Sequence, residues 1–176
     1  IKKVLARMEK IGMRFLMHGE DVDPAVDIFD REARFCEKYL GPWCKEFPGL
    51  KFILEHLSSK EGVEFVRAHA PQVGGTITPY HMVLTRTDWL GWGLKPYMYC
   101  MPVIKTAKDR AALRKAVDYV CNAIEKADDA SLSLTDRKGT LVQTKIGPAV
   151  DTYLAGLLLA EARGRMPNAA GEKRVY

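Results

Sequence analysis

Short runs of apolar and β-branched residues alternate along this chain with stretches whose apolar residues recur every three or four positions. The runs at residues 15–17, 52–54 and 76–78 are bounded by polar residues or proline, which is typical of short buried strands. The amphipathic stretches predict helices. Because parallel strands need a helical crossover, the pattern predicts an α/β fold with parallel strands. Three strands fit either an open α/β layer or part of a closed (β/α)₈ barrel.

Capping residues predict where the helices begin and end. The predicted boundaries are Gly12 as the end of the first helix, Asp23-Pro24 as the start of the second, Gly41-Pro42 as its end, Ser58 with Glu61 as a capping box for the third, and Thr106 with Asp109 as the start of a further helix. Residues 80–104 contain several glycines and prolines and are predicted to be irregular.

The composition argues against a nucleic-acid-binding protein and against a membrane protein. The chain has 176 residues, 47% of them hydrophobic, and a net charge of +5. No run of Lys and Arg exceeds two residues, so a solvated surface is favoured over a nucleic-acid interface. The longest apolar run, at residues 154–160, is too short to cross a bilayer, and no membrane contact is expected.

The spacing of the cysteines and the absence of three motifs argue against several further kinds of functional site. The four cysteines lack Cys-x-x-Cys spacing, and no signal peptide is visible, so we expect a reducing, cytoplasmic setting. The first residue is Ile rather than Met, which suggests that the natural beginning lies upstream. The sequence contains no Gly-rich phosphate loop, no Gly-x-Ser-x-Gly elbow and no His-Glu-x-x-His motif.

Two histidines are candidates for metal ligands. His18 and His56 each follow a predicted strand, with Glu20 and Glu55 close to them in the sequence. Neutral imidazole binds zinc, and a neighbouring carboxylate can fix the tautomer of the ring. The alternative is a pair of structural histidines whose ring nitrogens bond within the protein. The spacing of 38 residues does not by itself decide between the two interpretations.

Other candidates have a structural interpretation that is favoured over a functional one. The residues concerned are His69 and His81, interpreted as surface or structural histidines; Thr76 and Thr78, as β-formers rather than a pair of hydroxyls on one face; Trp92, Tyr97 and Tyr99, as packed aromatics rather than a pocket lining; and Arg31 and Arg34, as part of a solvated helix face.

Several sequence blocks in a fixed order resemble one enzyme family. The blocks are Arg7-Met8-Glu9-Lys10-Ile11-Gly12-Met13, Met17-His18-Gly19-Glu20, Asp27-Ile28-Phe29-Asp30-Arg31-Glu32-Ala33-Arg34-Phe35, Glu55-His56, Thr76-Ile77-Thr78-Pro79 with His81, and Tyr99-Cys100-Met101-Pro102-Val103-Ile104-Lys105. From residue 4 to about residue 117, the chain is similar to the bacterial-type, single-domain dihydroorotases of the amidohydrolase superfamily.

This resemblance implies a TIM (β/α)₈ barrel, of which residues 1–127 would supply about strands 5–7. It also implies a homodimer and an activity that interconverts dihydroorotate and carbamoyl-aspartate in pyrimidine biosynthesis, with two zinc ions in a complete site. His18 and His56 match the family ligands of the second zinc, and His18 would also contact the substrate. Met101 stands where the family usually has Leu, whose backbone contacts the substrate ring.

The resemblance also identifies what this chain does not match. The His-x-His pair and the bridging lysine of the family would lie upstream of residue 1. The block that carries the catalytic aspartate does not follow residue 118, so no catalytic residue is assigned. Residues 128–176 match nothing, and we expect a loop, a possible helix at 149–163 and a disordered end. One hypothesis is therefore an incomplete dihydroorotase that is inactive alone. The other is a non-catalytic, truncated barrel protein that binds partners.

Overall fold

A computed structural model of the chain describes residues 1–126, 155–157, 159–160, 163–164 and 173. The chain divides into two compact units, Ile1–Leu113 and Arg114–Tyr176. The strands among the described residues, and the candidate site residues, lie in the first unit. The predicted boundary between residues 127 and 128, and most of the predicted helix at 149–163, lie outside the described residues and stay predictions.

The first unit is built on a parallel sheet of three strands in the order β1-β2-β3. The strands are β1 (Phe15–His18), β2 (Phe52–Glu55) and β3 (Val73–Gly75). Phe52 and Leu54 on the central strand are fully buried, and Met17 and Val73 on its neighbours are nearly so. The predicted α/β fold with parallel strands is therefore confirmed. The small parallel sheet fits the predicted part of a barrel, and the assignment of its strands to barrel strands 5–7 stays a prediction.

At least one helix follows each strand along the chain. The bounds of the helices are α1 (Lys2–Lys10), α2 (Arg31–Phe35), α3 (Gly41–Glu46), α4 (Lys60–Ala68), α5 (Pro79–Val83), α6 (Arg86–Leu90) and α7 (Ala107–Lys126), with a π-helical turn at Cys36–Leu40 and a 3₁₀ turn at Pro96–Met98. Of these helices, α4 packs against β3. Two predicted boundaries are confirmed. Gly12 follows α1 with a φ of 67°, and α7 begins after Thr106, whose hydroxyl and amide both donate to Asp109.

The third strand lies three residues earlier than predicted. Val73–Gly75, rather than residues 76–78, pairs with Phe52–Leu54 of β2. Two of its three residues are glycines, which lack the β-branched side chains by which a strand is recognised in a sequence. Thr76 still extends the ladder, since its N–H donates to the carbonyl of Leu54 at 3.0 Å. Thr78 instead caps α5, so the two threonines do not alternate along one strand.

The second helix also differs from its predicted bounds. Asp23-Pro24 begins a series of turns, in which the carboxylate of Asp23 accepts from the N–H of Ala25, and α2 begins only at Arg31. Gly41-Pro42 does not end the helix. The π-helical turn precedes Pro42, which lies in the first turn of α3, where a missing N–H is tolerated.

The region from residue 80 to residue 104 is less irregular than predicted, because it contains α5, α6 and the 3₁₀ turn. The N-cap of α4 is also displaced by one residue from the predicted capping box. Ser59, rather than Ser58, accepts from the N–H of Gly62. Ser58 is engaged by a buried carboxylate instead.

Candidate metal-binding site

The fold brings His18 and His56 together. β1 ends at His18, and His56 directly follows β2, which pairs with β1 in parallel register. The two side chains therefore meet at the carboxyl edge of the sheet, where the active and binding sites of α/β proteins usually lie. The Nδ1 atom of His18 lies 3.3 Å from the Nε2 atom of His56. Their ring centroids are 4.8 Å apart, with an angle of 62° between the ring planes.

Glu20 fixes the orientation of the His18 ring. Its Oε2 atom lies 2.6 Å from Nε2 of His18, and its side chain is only 2% exposed, whereas that of His18 is 44% exposed. A carboxylate accepts, so this contact places the proton of a neutral His18 on Nε2. Nδ1 of His18 then directs a lone pair towards His56. The arrangement is that of a metal-ligand histidine held by an outer carboxylate.

His56 has an unusual backbone conformation and is held by Thr76, the residue directly after β3. Its φ is 43°, in the left-handed region that costs a non-glycine residue about 1–2 kcal/mol. The backbone N–H of His56 donates to Oγ1 of Thr76 at 2.8 Å, and that hydroxyl donates to Glu55 at 3.2 Å. Thr76 therefore connects β3 to the residue on which the site depends.

The described residues fit two of the ligands of a zinc ion. Two nitrogens bound to one tetrahedral zinc at about 2.0–2.1 Å lie about 3.3–3.4 Å apart, and the facing nitrogens of His18 and His56 are 3.3 Å apart. Two buried atoms beside them, Nδ1 of His56 and Oε1 of Glu20, have no hydrogen-bond partner among the described residues. Within those residues, no group of three or more His, Cys, Asp or Glu is placed to hold a metal ion.

A buried carboxylate that the sequence interpretation missed lies behind this site. Glu32 of α2 is 2% exposed and accepts hydrogen bonds from Ser58 and Ser59, in the loop after His56. Lys105, which is 5% exposed, donates to the same Ser58 hydroxyl at 2.7 Å. The available signal was the position of Glu32, three residues before the buried Phe35 and thus on the inner face of its helix.

His81 is a buried structural histidine, as predicted. Its Nε2 lies 2.9 Å from the carbonyl of Pro102 and its Nδ1 lies 2.7 Å from the hydroxyl of Thr78. The carbonyl can only accept, so the ring proton is on Nε2 and Nδ1 accepts from Thr78. Burial lowers the pKa of His81 below its usual value. His69 also bonds within the protein, since its Nδ1 lies 2.9 Å from the carbonyl of Phe65.

Met101, the predicted substrate contact, packs against a buried cluster of Trp89, Val103 and Ile104. This packing fixes the course of the backbone around Met101. The contact with a substrate ring stays a prediction. Beside it, burial raises the pKa of the Cys100 thiol, which donates to the carbonyl of Pro102 at 3.4 Å.

The aromatic residues of the same region are more exposed than predicted. Trp92 is 91% exposed and Tyr97 is 80% exposed, so the prediction that they pack is wrong. Tyr99 does contact Trp89, with ring centroids 5.9 Å apart. Arg34 is exposed, as predicted, and it pairs with Glu37. The prediction of a solvated side chain is wrong for Arg31, which is half-buried and whose Nε has no hydrogen-bond partner among the described residues.

A cleft of about 570 Å³ lies outside this histidine pair. It is lined by Phe29, Asp30, Ala33, Arg34, Lys60, Glu61, Arg86, Lys105, Thr106, Lys108 and Asp109. Two of its basic side chains, those of Arg34 and Lys60, form ion pairs with neighbouring glutamates, and the backbone N–H of Lys60 donates to Asp109. Neither His18 nor His56 lines the cleft.

In the part of the chain that the structure describes, no helix is both long enough and apolar enough to span a membrane.

Comparisons with known proteins agree on one family, although no protein-family model matches the chain. The chain is 49% identical to the dihydroorotase of Buchnera aphidicola over 118 residues, which are 66% of this chain and 34% of that relative. It is 43% identical to the dihydroorotase of Pectobacterium atrosepticum over 138 residues, which are 78% of this chain and 40% of that relative. The chain thus spans between a third and two fifths of these relatives.

Solved structures give the same result. The dihydroorotase of Campylobacter jejuni superposes with a TM-score of 0.61 at 30% identity, over 68% of this chain and 34% of that one. The dihydroorotase of Saccharomyces cerevisiae, in complex with 5-fluoroorotic acid, superposes with a TM-score of 0.57 at 27% identity, over 68% of this chain and 35% of that one. By sequence and by fold, this chain is therefore homologous to a segment of the dihydroorotases.

Proposed function

We propose that this chain supplies the ligands of the second zinc of a dihydroorotase, which interconverts dihydroorotate and carbamoyl-aspartate. The observation that carries this proposal is the pair of facing nitrogens of His18 and His56, 3.3 Å apart at the carboxyl edge of a parallel sheet. The homology of the chain to dihydroorotases supports it. β1, β2 and β3 would then be strands 5, 6 and 7 of the barrel.

The described residues would bind and orient rather than transfer protons. His18 and His56 would hold the metal, and Glu20 would keep the proton of His18 on Nε2, leaving Nδ1 free to bind. His18 would also contact the substrate, and the backbone at Met101 would contact the substrate ring. When bound, zinc supplies Lewis-acid polarisation of the ring carbonyl and activation of the attacking water. The general acid–base residue and the other ligands would come from outside the described residues.

This division of the site implies that the chain is inactive alone. A complete site of this family holds two zinc ions, and the described residues offer one pair of ligands. We also propose that the complete enzyme is a cytoplasmic homodimer acting on this small-molecule substrate. Sequencing the source transcript on both sides of this segment tests the proposal that the chain is part of a longer dihydroorotase. A His-x-His strand and a lysine strand upstream, with an aspartate strand downstream, are expected. Start and stop codons directly flanking the segment would contradict it.

Metal binding by the purified chain tests the histidine pair directly. On titration with Co²⁺, the ring signals of His18 and His56 should broaden before those of the other histidines in a ¹H–¹⁵N spectrum. The variants His18→Ala and His56→Ala should each lose about ten-fold or more in affinity. His69→Ala is the matched control and should bind as the wild type does. Equal broadening of all four histidines, or none, would reject the site.

A non-catalytic role is the second candidate. The observation that favours it is the exposure of Leu16, which is 57% exposed on β1, an edge strand of the described sheet. An exposed apolar edge can pair with another chain. In size-exclusion chromatography, a monodisperse monomer or dimer without Co²⁺ binding would favour this role, and aggregation would favour an incomplete enzyme.

A further inference from the structure

Glu32 makes an unusually complete set of contacts for a buried carboxylate. Its Oε2 accepts from the N–H and the hydroxyl of Ser58 at 2.8 and 2.7 Å. Its Oε1 accepts from the N–H and the hydroxyl of Ser59 at 2.9 and 2.5 Å. All four bonds join Glu32, in α2, to one segment of two residues that lies more than 25 residues further along the sequence. A bond to an ionised acceptor is stronger than a neutral one, so this carboxylate anchors the segment firmly.

The surroundings compensate the buried charge and fix its position. The ammonium of Lys105 donates to the hydroxyl of Ser58, which places a buried positive charge one hydrogen bond from the carboxylate. Gly62 leaves the space that the carboxylate occupies, because a Cβ added there would lie 2.1 Å from Oε1 of Glu32. The position of the Glu32 carboxylate therefore depends on residues from several separate elements.

The anchored segment begins two residues after His56. His56 has the left-handed φ of 43°, and its own N–H is held by Thr76 on the β3 side. The N–H of Leu57 donates to the carbonyl of Thr76 at 2.8 Å. The loop is thus held by Thr76 from one side and by Glu32 from the other. A strained residue persists only where its surroundings determine it in this way.

We propose that Glu32 is a positioning residue that holds the imidazole of His56 against that of His18, acting through Ser58 and Ser59 without touching the metal. This inference rests on the proposed function for its purpose, which is metal binding. Its structural content, the position of the His56 ring, can be measured without metal.

The first experiment compares Glu32→Gln with Glu37→Gln, using the wild-type chain as reference. Glu37 is the matched control, because it lies one helical turn and a half further on and its side chain is 71% exposed. In metal-free protein, Glu32→Gln should lose the cross-relaxation between the His18 and His56 rings. The stacked rings of Phe65 and His69, 3.9 Å apart, should keep theirs as an internal measure of folding. The affinity for Co²⁺ should fall about 10–100-fold, and Glu37→Gln should match the wild type in both measurements.

A milder variant covers the case in which Glu32→Gln does not fold. Ser58→Ala removes one hydroxyl and keeps the N–H that donates to Glu32, so it should weaken the same ring contact while the Phe65–His69 contact stays. If Ser58→Ala, together with Glu32→Gln where that variant folds, keeps both the His18–His56 contact and the wild-type Co²⁺ affinity, the positioning role is wrong. If the wild type binds no Co²⁺ but Glu32→Gln still separates the two rings, the proposed function fails and the positioning role stands.

Discussion

Nδ1 of His18 faces Nε2 of His56 across 3.3 Å, with Glu20 bound to the opposite nitrogen of the His18 ring. Because the proton of the His18 ring lies on Nε2, which donates to Glu20, Nδ1 of His18 has a lone pair, and a second lone pair on Nε2 of His56 would repel it. Either the proton of His56 or a cation must lie between them. The two rings can therefore share either a hydrogen bond or a bound cation. The tautomer of each ring, which differs between these two states, can be measured.

The first prediction concerns Glu20. In Glu20→Gln, the amide can present either its oxygen or its NH₂ group to His18, so the proton of the His18 ring should no longer be confined to Nε2. Long-range ¹H–¹⁵N spectra should show more of the Nδ1–H tautomer, and the affinity for Co²⁺ should fall about ten-fold or more. Glu46→Gln, a change at an exposed glutamate that pairs with Lys2, is the control. An unchanged tautomer ratio in Glu20→Gln would contradict this role.

The second prediction concerns Gly62. A Cβ at this position would lie 2.1 Å from the Glu32 carboxylate, so Gly62→Ala should lower the free energy of unfolding by about 1–3 kcal/mol, as overpacking does. Urea denaturation measures this change. Gly156→Ala, at a described helical position with open space around it, should be neutral or slightly stabilising. Equal effects of the two substitutions would show that Glu32 moves aside freely.

The third prediction concerns pH and His81. Burial lowers the pKa of His81 in the folded chain below its usual value of 6.5. The unfolded chain then binds more protons between the lowered pKa and 6.5, so stability should rise with pH in that window and be lost as the pH falls through it. Urea denaturation at a series of pH values between 5 and 8 measures this dependence, in a range where a histidine titrates.

The control for this prediction is His81→Gln, which lacks the titrating ring. Its free energy of unfolding should be lower at every pH, because the buried contacts to Thr78 and Pro102 are altered. The part of the pH dependence that belongs to His81 should disappear. If the wild type and His81→Gln keep the same slope around pH 6, the residue is not the source of the dependence.

The fourth prediction concerns the cysteines. Burial raises the pKa of Cys36 to about 12 and that of Cys44 to about 11, and both side chains are at most 5% exposed. Because the thiolate is the reactive form, iodoacetamide at pH 8 should modify these two only after unfolding. Cys100 is half-buried and should react faster than either. Mass spectrometry of digested protein measures the order, and Cys100→Ser should lose the fast phase.

The sequence determined the features that depend on local patterns. Alternating strands and helices predicted the parallel α/β layer, and capping chemistry placed Gly12 after α1 and Thr106 before α7. The sequence also placed His18 and His56 beside the ends of two strands. Neighbouring parallel strands end at the same edge of a sheet, so the positions of the two histidines in the sequence already favour a meeting of their rings.

Tertiary pairing decided what local pattern could not. β3 contains two glycines and is a strand only because β2 supplies its hydrogen bonds, and Pro42 is tolerated because the folded chain places it in the first turn of α3. The roles of Glu32 and of the left-handed His56 depend on partners more than 15 residues away in the sequence. A charge is tolerated in the interior only when hydrogen-bond partners surround it. Those partners come from distant parts of the sequence, so only the folded chain brings them together.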